Sequence, residues 1–387
     1  MQILKFFTVV LVLFGISCSN TGNPEQFYYP ADFNLTHSTG FIWTTDFNEV
    51  IPELIGIITK KDKVTLYFEQ GQDLSEMDSI LQNYGANTDN INFSSINEWP
   101  KNAWIRDFGP CYIVNNLGDK KIVDFSYYGN RFSFNKNVAN KNSLPLVTSK
   151  LNSTGGARET NGAGTIILCE AHELDVNKSK SKQQIENELK NKLSVKNVIW
   201  LKKGIPQDDN QANGPIYGNI YPNGLNGHVD EFCRFANKNT VLISALTEEE
   251  AKKHPILAEA KRRMDENHEI LVNSVDQDGD KLNVIKVPFA PLFVFEEQTA
   301  KTSRIFTYVT SYLNFIVTNS FVILPSYTDN LKEFNRENYI QSEKELELIF
   351  GEVFPEREIV KVQATLLNRY GGGFHCVSIN EPVAKKP

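Results

Sequence analysis

The chain has 387 residues and a formal net charge of −7, and 41% of its residues are hydrophobic while 22% are charged. This composition is that of a globular protein with enough chain to bury a large core. The acidic balance gives no sign of the basic face that nucleic-acid binding requires, and it suits a cationic small ligand. We therefore expect no nucleic-acid partner.

The first 17 residues have the pattern of an export signal. Lys5 precedes an apolar run, Phe6–Phe14, which is followed by small residues and Cys18. The run is too short to span a membrane. The pattern resembles a bacterial lipoprotein signal with cleavage before Cys18 and lipid on its thiol, and an ordinary signal peptide cut nearby is the alternative. We expect residues 1–17 to be removed and 18–35 to form a lipidated tether that anchors an exported protein at the periplasmic or cell-surface face of a membrane.

Strand and helix patterns alternate over residues 36–387, which predicts a single α/β domain. No repeat of fixed period is visible in the sequence. Strands are predicted near residues 41–43, 64–68, 111–114, 122–125, 165–169, 198–201 and 241–243. Helices are predicted to begin at the capping residues Asp73, Ser181, Thr247 and Ser342, each followed three positions later by Glu or Gln.

Four cysteines follow Cys18, namely Cys111, Cys169, Cys233 and Cys376. An exported protein can form disulfides. Because a nucleophilic cysteine must remain free, at most one bridge is expected, and none is favoured.

Two motifs bring charged side chains into apolar surroundings. Trp104-Ile105-Arg106-Asp107-Phe108-Gly109-Pro110 contains an Arg-Asp pair that is costly to bury unless it is paired or functional. An internal salt bridge is favoured for Arg106, whereas Asp107 either joins such a bridge or holds a cation in a pocket. In Gly227-His228-Val229-Asp230-Glu231-Phe232, an extended backbone would place His228 and Asp230 on the same face. The alternatives are a buried histidine beside an exposed acid, and a metal site, which we do not expect because no second histidine or Cys pair stands at metal-ligand spacing.

A third motif, Gly371-Gly372-Gly373-Phe374-His375-Cys376, lies near the C-terminus. Three glycines allow the backbone to bend freely and to approach another group closely. The motif predicts a loop that delivers a thiol into a pocket, and a glycine turn followed by an inert buried cysteine is the alternative. In an extended segment His375 would point away from Cys376.

Together the three motifs, in this order and spacing, resemble the agmatine deiminase and Porphyromonas-type peptidylarginine deiminase family over residues 41–378. The resemblance implies a pentein fold, in which five ββαβ-like modules surround a pseudo-fivefold axis with the site at its centre. It also implies hydrolysis of a guanidinium group without a cofactor. By the same resemblance Cys376 is the nucleophile, His228 is the acid and base, and Asp107 and Asp230 hold the guanidinium.

The resemblance also suggests residues that bind the substrate. Asn314 matches a site-lining asparagine, and Trp104 belongs to the first motif. Arg131 matches one of two family arginines that hold a substrate carboxylate, while Ser133 replaces the other, and Asn161 stands where the family has Asp. We expect a modest preference for arginine or arginyl peptides over agmatine. An agmatine deiminase that makes N-carbamoylputrescine, an amidinotransferase, and a guanidinium-binding protein without turnover are the alternatives.

Overall fold

The computed structural model describes residues 24–97, 101–298, 303–328 and 336–383. The strands in these ranges are β1 (Thr36–Ile42), β2 (Val64–Glu69), β3 (Ile91–Ile96), β4 (Cys111–Val114), β5 (Lys120–Ser126), β6 (Leu146–Asn152), β7 (Arg158–Thr160), β8 (Thr165–Cys169), β9 (Asn197–Leu201), β10 (Ile220–Tyr221), β11 (Cys233–Phe235), β12 (Thr240–Ala245), β13 (Asn283–Pro288), β14 (Val294–Gln298), β15 (Ser303–Thr307), β16 (Ile316–Val317), β17 (Phe321–Ser326), β18 (Glu358–Gln363) and β19 (Ser378–Pro382). The helices are α1 (Val50–Ile58), α2 (Leu74–Asn83), α3 (Ile105–Phe108), α4 (Phe134–Lys141), α5 (Glu170–Val176), α6 (Lys182–Leu193), α7 (Glu248–Ala251), α8 (Pro255–Asn273), α9 (Arg336–Val353) and α10 (Thr365–Arg369).

Five sheets share one pairing pattern, in which a first strand runs antiparallel to a second and the second runs parallel to a third. They are β19-β1-β2, which β3 extends, β4-β5-β6, β7-β8-β9, β11-β12-β13 and β16-β17-β18. One or two helices connect the parallel pair of each sheet, as a parallel crossover requires. These five modules confirm the predicted pentein fold. A sixth sheet, β10-β15-β14, is an addition to it.

The middle strand of a module is buried on both faces, which explains its unbroken apolar sequence. In β12, Val241 and Ile243 belong to a buried cluster that includes Ala260, Met264 and Leu271 of α8. The three helical residues recur at helical spacing, so α8 presents one apolar stripe to the sheet. A continuous apolar run in a strand is typical of sheets that helices cover.

Of the four predicted helix starts, two are correct in both the capping residue and the residue three positions later. Ser181 with Gln184 and Thr247 with Glu250 both form capping boxes. Asp73 caps α2, but its carboxylate accepts the N–H of Ser75. The start predicted at Ser342 is wrong because α9 already begins at Arg336. A serine can lie inside a helix, so the spacing to an acid three residues later does not by itself mark an end.

The N-terminal segment departs from the predicted domain boundary. Residues 24–35, predicted to belong to a tether, pack on the domain: the backbone of Tyr28 pairs with Val114, and the carboxylate of Asp32 accepts hydrogen bonds inside it. This polar segment resembles a linker in sequence because the contacts of Tyr28 and Asp32 that hold it on the domain are to residues distant in sequence. Cys18 and the predicted cleavage site lie outside the described residues. Among the described helices, none is long and apolar enough to cross a membrane.

Candidate active site

The loops just before the first strands of the five modules converge. Asp107 precedes β4, Gly156 precedes β7, Asp230 precedes β11, Asn314 precedes β16 and Cys376 precedes β19. Each module therefore contributes one position to a common centre. This repeated placement explains why residues far apart in sequence meet at one site.

The thiol of Cys376 lies in a polar, acidic environment. Its Sγ is 3.2 Å from Nδ2 of Asn314, 3.7 Å from Oε1 of Glu231 and 3.8 Å from Oδ2 of Asp230. Burial, and then the negative charges of Asp230, Glu231 and Asp107, raise the pKa of the Cys376 thiol well above its usual value. The thiol is therefore neutral until a cation offsets those charges.

The glycines before Cys376 permit close approach, as the sequence predicts. A Cβ added at Gly372 would lie 2.7 Å from the ring of Trp104, and one at Gly373 would lie 2.5 Å from Oδ1 of Asn314. Both distances are too short for real carbon atoms, so glycine is required at each position. The structure thus places Trp104 and Asn314 against the loop that carries the thiol.

His228 and Asp230 meet without the extended backbone on which the sequence argument depended. His228 caps a 3-10 turn, Val229–Glu231. A Cβ added at Gly156 would lie 2.9 Å from both Nδ1 of His228 and Oδ2 of Asp230, so both side chains face that glycine. The Nδ1 atom of His228 is also 3.7 Å from Oδ1 of Asp107.

Neighbouring carboxylates set the charge of His228. Burial would lower the pKa of His228, but Asp107, Asp208 and Asp230 raise it above its ordinary value. Asp208 also fixes the loop, because its Oδ2 accepts the N–H groups of Gly227 and His228 at 3.0 and 2.7 Å. The imidazolium form of His228 is thereby favoured in the acidic site.

The two predicted guanidinium-binding carboxylates each have an oxygen that is available. Oδ1 of Asp107 and Oδ1 of Asp230 are buried and have no hydrogen-bond partner among the described residues. Buried polar atoms normally have partners. A planar cation with several N–H donors, such as a guanidinium, would supply them. Burial raises the pKa of Asp107 to about 6, whereas His375 lowers the pKa of Asp230 against the effect of burial.

His375 lies in a turn and not in the extended segment assumed for it, and both of its ring nitrogens contact carboxylates. Its Nδ1 lies 2.6 Å from Oδ2 of Asp230 and its Nε2 lies 2.6 Å from Oδ2 of Asp32. The predicted internal salt bridge of Arg106 is confirmed, since Nη1 lies 3.3 Å from Oδ1 of Asp32. Arg106 also donates from Nε to the carbonyl of Ser378 at 3.0 Å.

Arg131, expected to hold a substrate carboxylate, is paired with groups of its own module in the structure. Its guanidinium donates to Oδ2 of Asp124 at 2.5 Å, to Oγ of Ser126 at 3.0 Å and to the carbonyl of Ser149 at 2.8 Å. These contacts hold Arg131 within its own module. The carboxylate of Asp124 is buried, and a buried charge is costly unless an opposite charge is paired with it. Arg131 is placed as a structural residue.

Asn161 is held in a turn. Its Oδ1 accepts the N–H groups of Ala163 and Thr165, and its Nδ2 donates to the carbonyl of Lys238 and to Oε1 of Gln277. All four contacts are structural. The replacement of an acid here therefore gives no reason to expect loss of turnover.

Cys111, Cys169, Cys233 and Cys376 are all buried free thiols. Two groups of side chains in the described ranges have potential metal-ligand atoms within 4.8 Å of one another, and they are Asp32, Glu159 and His375, and Asp230, Glu231 and Cys376. Arg106 and Arg234 already neutralise Asp32 in the first group. The second group includes Cys376, the predicted nucleophile. Neither arrangement calls for a metal ion.

Several residues at the site had no assigned role in the sequence analysis. Asp32 lies in the segment taken for a tether, and Glu231 adjoins Asp230 in the second motif. Thr154 and His172 contact His228, and Asp208 binds its backbone. Of these residues, only Glu231 lies in a motif that pointed to the site. The other residues reach the site through tertiary packing, which leaves no local pattern in the sequence.

The fold and site define a pentein with a cysteine, a histidine and two aspartates at its centre. The sequence model of the Porphyromonas-type peptidyl-arginine deiminase family matches residues 35–382, and the chain belongs to that family. It is 24% identical to the agmatine deiminase of Pseudomonas aeruginosa strain LESB58, covering 95% of this chain and 99% of that protein. It is 27% identical to the agmatine deiminase of Pseudomonas syringae pv. tomato, covering 79% and 81%.

Solved structures agree on the fold. The agmatine deiminase of Enterococcus faecalis superposes with a TM-score of 0.72 at 20% identity, covering 92% of this chain and 96% of that one. A C. jejuni agmatine deiminase with substrate bound gives a TM-score of 0.71 at 21% identity, covering 93% and 97%.

Proposed function

We propose that the protein hydrolyses the guanidinium group of a small substrate such as agmatine to a ureido group and ammonia. The observation that carries this proposal is that Oδ1 of Asp107 and Oδ1 of Asp230 are buried without a hydrogen-bond partner among the described residues, while Oδ2 of Asp230 lies 3.8 Å from Sγ of Cys376. Two carboxylates can bind the N–H edges of a guanidinium and leave its central carbon open to the thiol.

In the first half-reaction the bound cation offsets the carboxylates that raise the pKa of the thiol, so Cys376 loses its proton to solvent and becomes a thiolate. The sulfur attacks the guanidinium carbon and forms a tetrahedral adduct. His228, whose pKa the acids raise, donates a proton to the departing nitrogen. The C–N bond breaks, ammonia leaves, and a thiouronium remains on Cys376.

In the second half-reaction water attacks the thiouronium carbon, and His228 now accepts the proton of that water. The carbonyl forms as the adduct loses its hydroxyl proton to solvent, the C–S bond breaks, the thiolate is restored, and the ureido product leaves. Asp107 and Asp230 hold the remaining nitrogens throughout. No step uses a metal ion or a cofactor.

Agmatine is the first substrate to test. Arg131, expected to hold a substrate carboxylate, is instead bound to Asp124. The curated relatives named above are agmatine deiminases, and agmatine has no carboxylate. These two points support agmatine over arginine or an arginyl peptide.

A substrate panel of agmatine, arginine and a C-terminal arginyl peptide tests the proposal, with ammonia and ureido product both measured. We expect both products from agmatine in the absence of any added amine. Release of putrescine in place of ammonia, with the amidino group recovered on an added amine acceptor, would indicate an amidinotransferase. Binding of all three guanidines without product would indicate a protein that binds and does not turn over.

The N-terminal sequence supports a second proposal, that the protein is exported and anchored by lipid on Cys18. The support is the short apolar run after Lys5 that ends at a cysteine. In a host that processes lipoproteins, the protein should partition into detergent, and Cys18→Ser should become soluble or remain uncleaved. A mature N-terminus at any other residue would contradict the lipid anchor.

A further inference from the structure

A second buried histidine packs against the catalytic one. His172, on α5, has its ring centroid 4.8 Å from that of His228, at an interplanar angle of 80°. The hydroxyl of Thr154 lies between them, with Oγ1 3.0 Å from Nε2 of His228 and 3.5 Å from Nε2 of His172. On its other side, Nδ1 of His172 is 2.9 Å from the carbonyl oxygen of Leu225. All three side chains are buried.

The carbonyl oxygen of Leu225 determines which ring nitrogen of His172 carries a proton. A carbonyl oxygen only accepts, so Nδ1 of His172 carries a proton and donates it to Leu225. Burial lowers the pKa of His172 to about 3, and the neutral ring then has a lone pair on Nε2. The only hydrogen-bonding role open to this lone pair is that of acceptor, so we assign the Thr154 hydroxyl, 3.5 Å away, as its donor. Its oxygen is left to accept from Nε2–H of His228.

From this geometry we propose that Thr154 and His172 are positioning residues that hold the proton of neutral His228 on Nε2 and leave Nδ1 free for the reaction. The proposal rests on the proposed function, because it concerns the acid and base of that reaction. Nδ1 is the nitrogen that faces Asp107 and Gly156, where the guanidinium would lie.

The hydrogen bonds from His172 through Thr154 to His228 matter because Asp107 favours the other tautomer of His228, with its proton on Nδ1. Oδ1 of Asp107, 3.7 Å from Nδ1, attracts a proton to that nitrogen. A neutral His228 with its proton on Nδ1 has no lone pair there, so it cannot accept the proton of the attacking water. The hydrogen bond to Thr154 offsets the pull of Asp107 and keeps the ring competent as a base.

Kinetics of Thr154 variants test the proposal. Thr154→Val keeps the shape and removes the hydroxyl. We expect kcat for agmatine to fall about tenfold to a hundredfold, a part of the hundredfold or more that a general acid-base contributes. KM should change little, because in the proposed mechanism Asp107 and Asp230, and not His228, bind the guanidinium. Thr154→Ser should restore kcat, and His172→Phe, which removes the acceptor for the hydroxyl, should lower it.

A spectroscopic measurement can identify the tautomer of His228 independently of turnover. Nitrogen-15 NMR of histidine-labelled protein, above the pH at which His228 loses its proton, reports which ring nitrogen carries a proton. The His228 signals are assigned by their loss in His228→Asn. We expect the Nε2–H form in the wild type and a shift toward Nδ1–H in Thr154→Val.

The outcomes separate this inference from the proposed function. An Nδ1–H form in the wild type, or unchanged kcat and tautomer in Thr154→Val, would overturn the inference and leave deimination standing. Absence of turnover in the wild type would reject the proposed function, while the wild-type spectrum would still test the tautomer. If Thr154→Val does not fold, the wild-type and Thr154→Ser spectra decide.

Discussion

Nδ1 of His375 lies 2.6 Å from Oδ2 of Asp230, so the residue that precedes Cys376 in sequence contacts a carboxylate for which we propose a role in substrate binding. The other ring nitrogen is 2.6 Å from Oδ2 of Asp32, which Arg106 and Arg234 hold in turn. The ring is therefore fixed at both ends. Its hydrogen bond helps to lower the pKa of Asp230 against the effect of burial, and Oδ1 of Asp230 has no hydrogen-bond partner among the described residues.

Replacing this histidine should weaken the guanidinium site. His375→Gln loses the short contact to Asp230, and hydrogen bonds to charged groups contribute about 1.5–3 kcal/mol. We expect kcat/KM for agmatine to fall about tenfold to a hundredfold, measured by ammonia release. His268→Gln, at a histidine on α8 that is only partly buried, is the control and should retain wild-type kinetics. Equal kinetics in both variants would remove His375 from the site.

The two aspartates should be required for guanidinium binding. Asp107→Asn and Asp230→Asn each remove a charge from a buried cation site, and loss of one partner of such a pair costs about 2–5 kcal/mol. We expect a corresponding loss in kcat/KM. Glu343→Gln is the control, because Glu343 is equally buried but binds Ser326 and the N–H of Tyr327. Near-normal kinetics in either Asp variant would show that its residue does not hold the substrate.

Arg131→Ala should change stability and leave specificity unchanged. The variant leaves the buried carboxylate of Asp124 without its cation, which should lower the free energy of unfolding by about 1–3 kcal/mol in urea titrations. kcat/KM for agmatine and for arginine should then change by the same factor. A rise in KM for arginine alone would mean instead that Arg131 reaches the substrate carboxylate.

The rate should depend on pH through Asp107. Burial raises its pKa to about 6, and only the ionised carboxylate attracts the guanidinium. As pH falls through about 6, kcat/KM for agmatine should therefore fall, since this parameter reports groups of the free enzyme. The same limb should disappear from the residual activity of Asp107→Asn. Asp208, whose pKa burial also raises to about 6, would be responsible if the limb persisted.

Much of the fold and the central site could be predicted because the signals are local. The apolar run at Thr165–Cys169 and the capping boxes at Ser181 and Thr247 depend on neighbours in sequence, and each was predicted correctly. The triple glycine before Cys376 likewise indicated close packing that the structure contains.

The remaining features depend on contacts between distant segments. Nothing near Asp32 in sequence indicates that it meets His375, 343 positions away. Arginine is a residue type that binds carboxylates, but in the structure the guanidinium of Arg131 forms an ion pair with Asp124. The 3-10 turn after His228 could not be inferred from a pattern of alternating residues.

The most direct test of the mechanism is a rapid-quench mass measurement of the protein mixed with agmatine. We predict a covalent adduct with the mass of agmatine less ammonia, mapped to Cys376, and one ammonia released for each ureido product. Cys376→Ala should give no adduct and no ammonia yet still bind agmatine, while Cys233→Ala, at another buried free thiol, serves as the control and should form the adduct. Ammonia released by Cys376→Ala, or an adduct on any other cysteine, would contradict the assignment of Cys376 as the nucleophile.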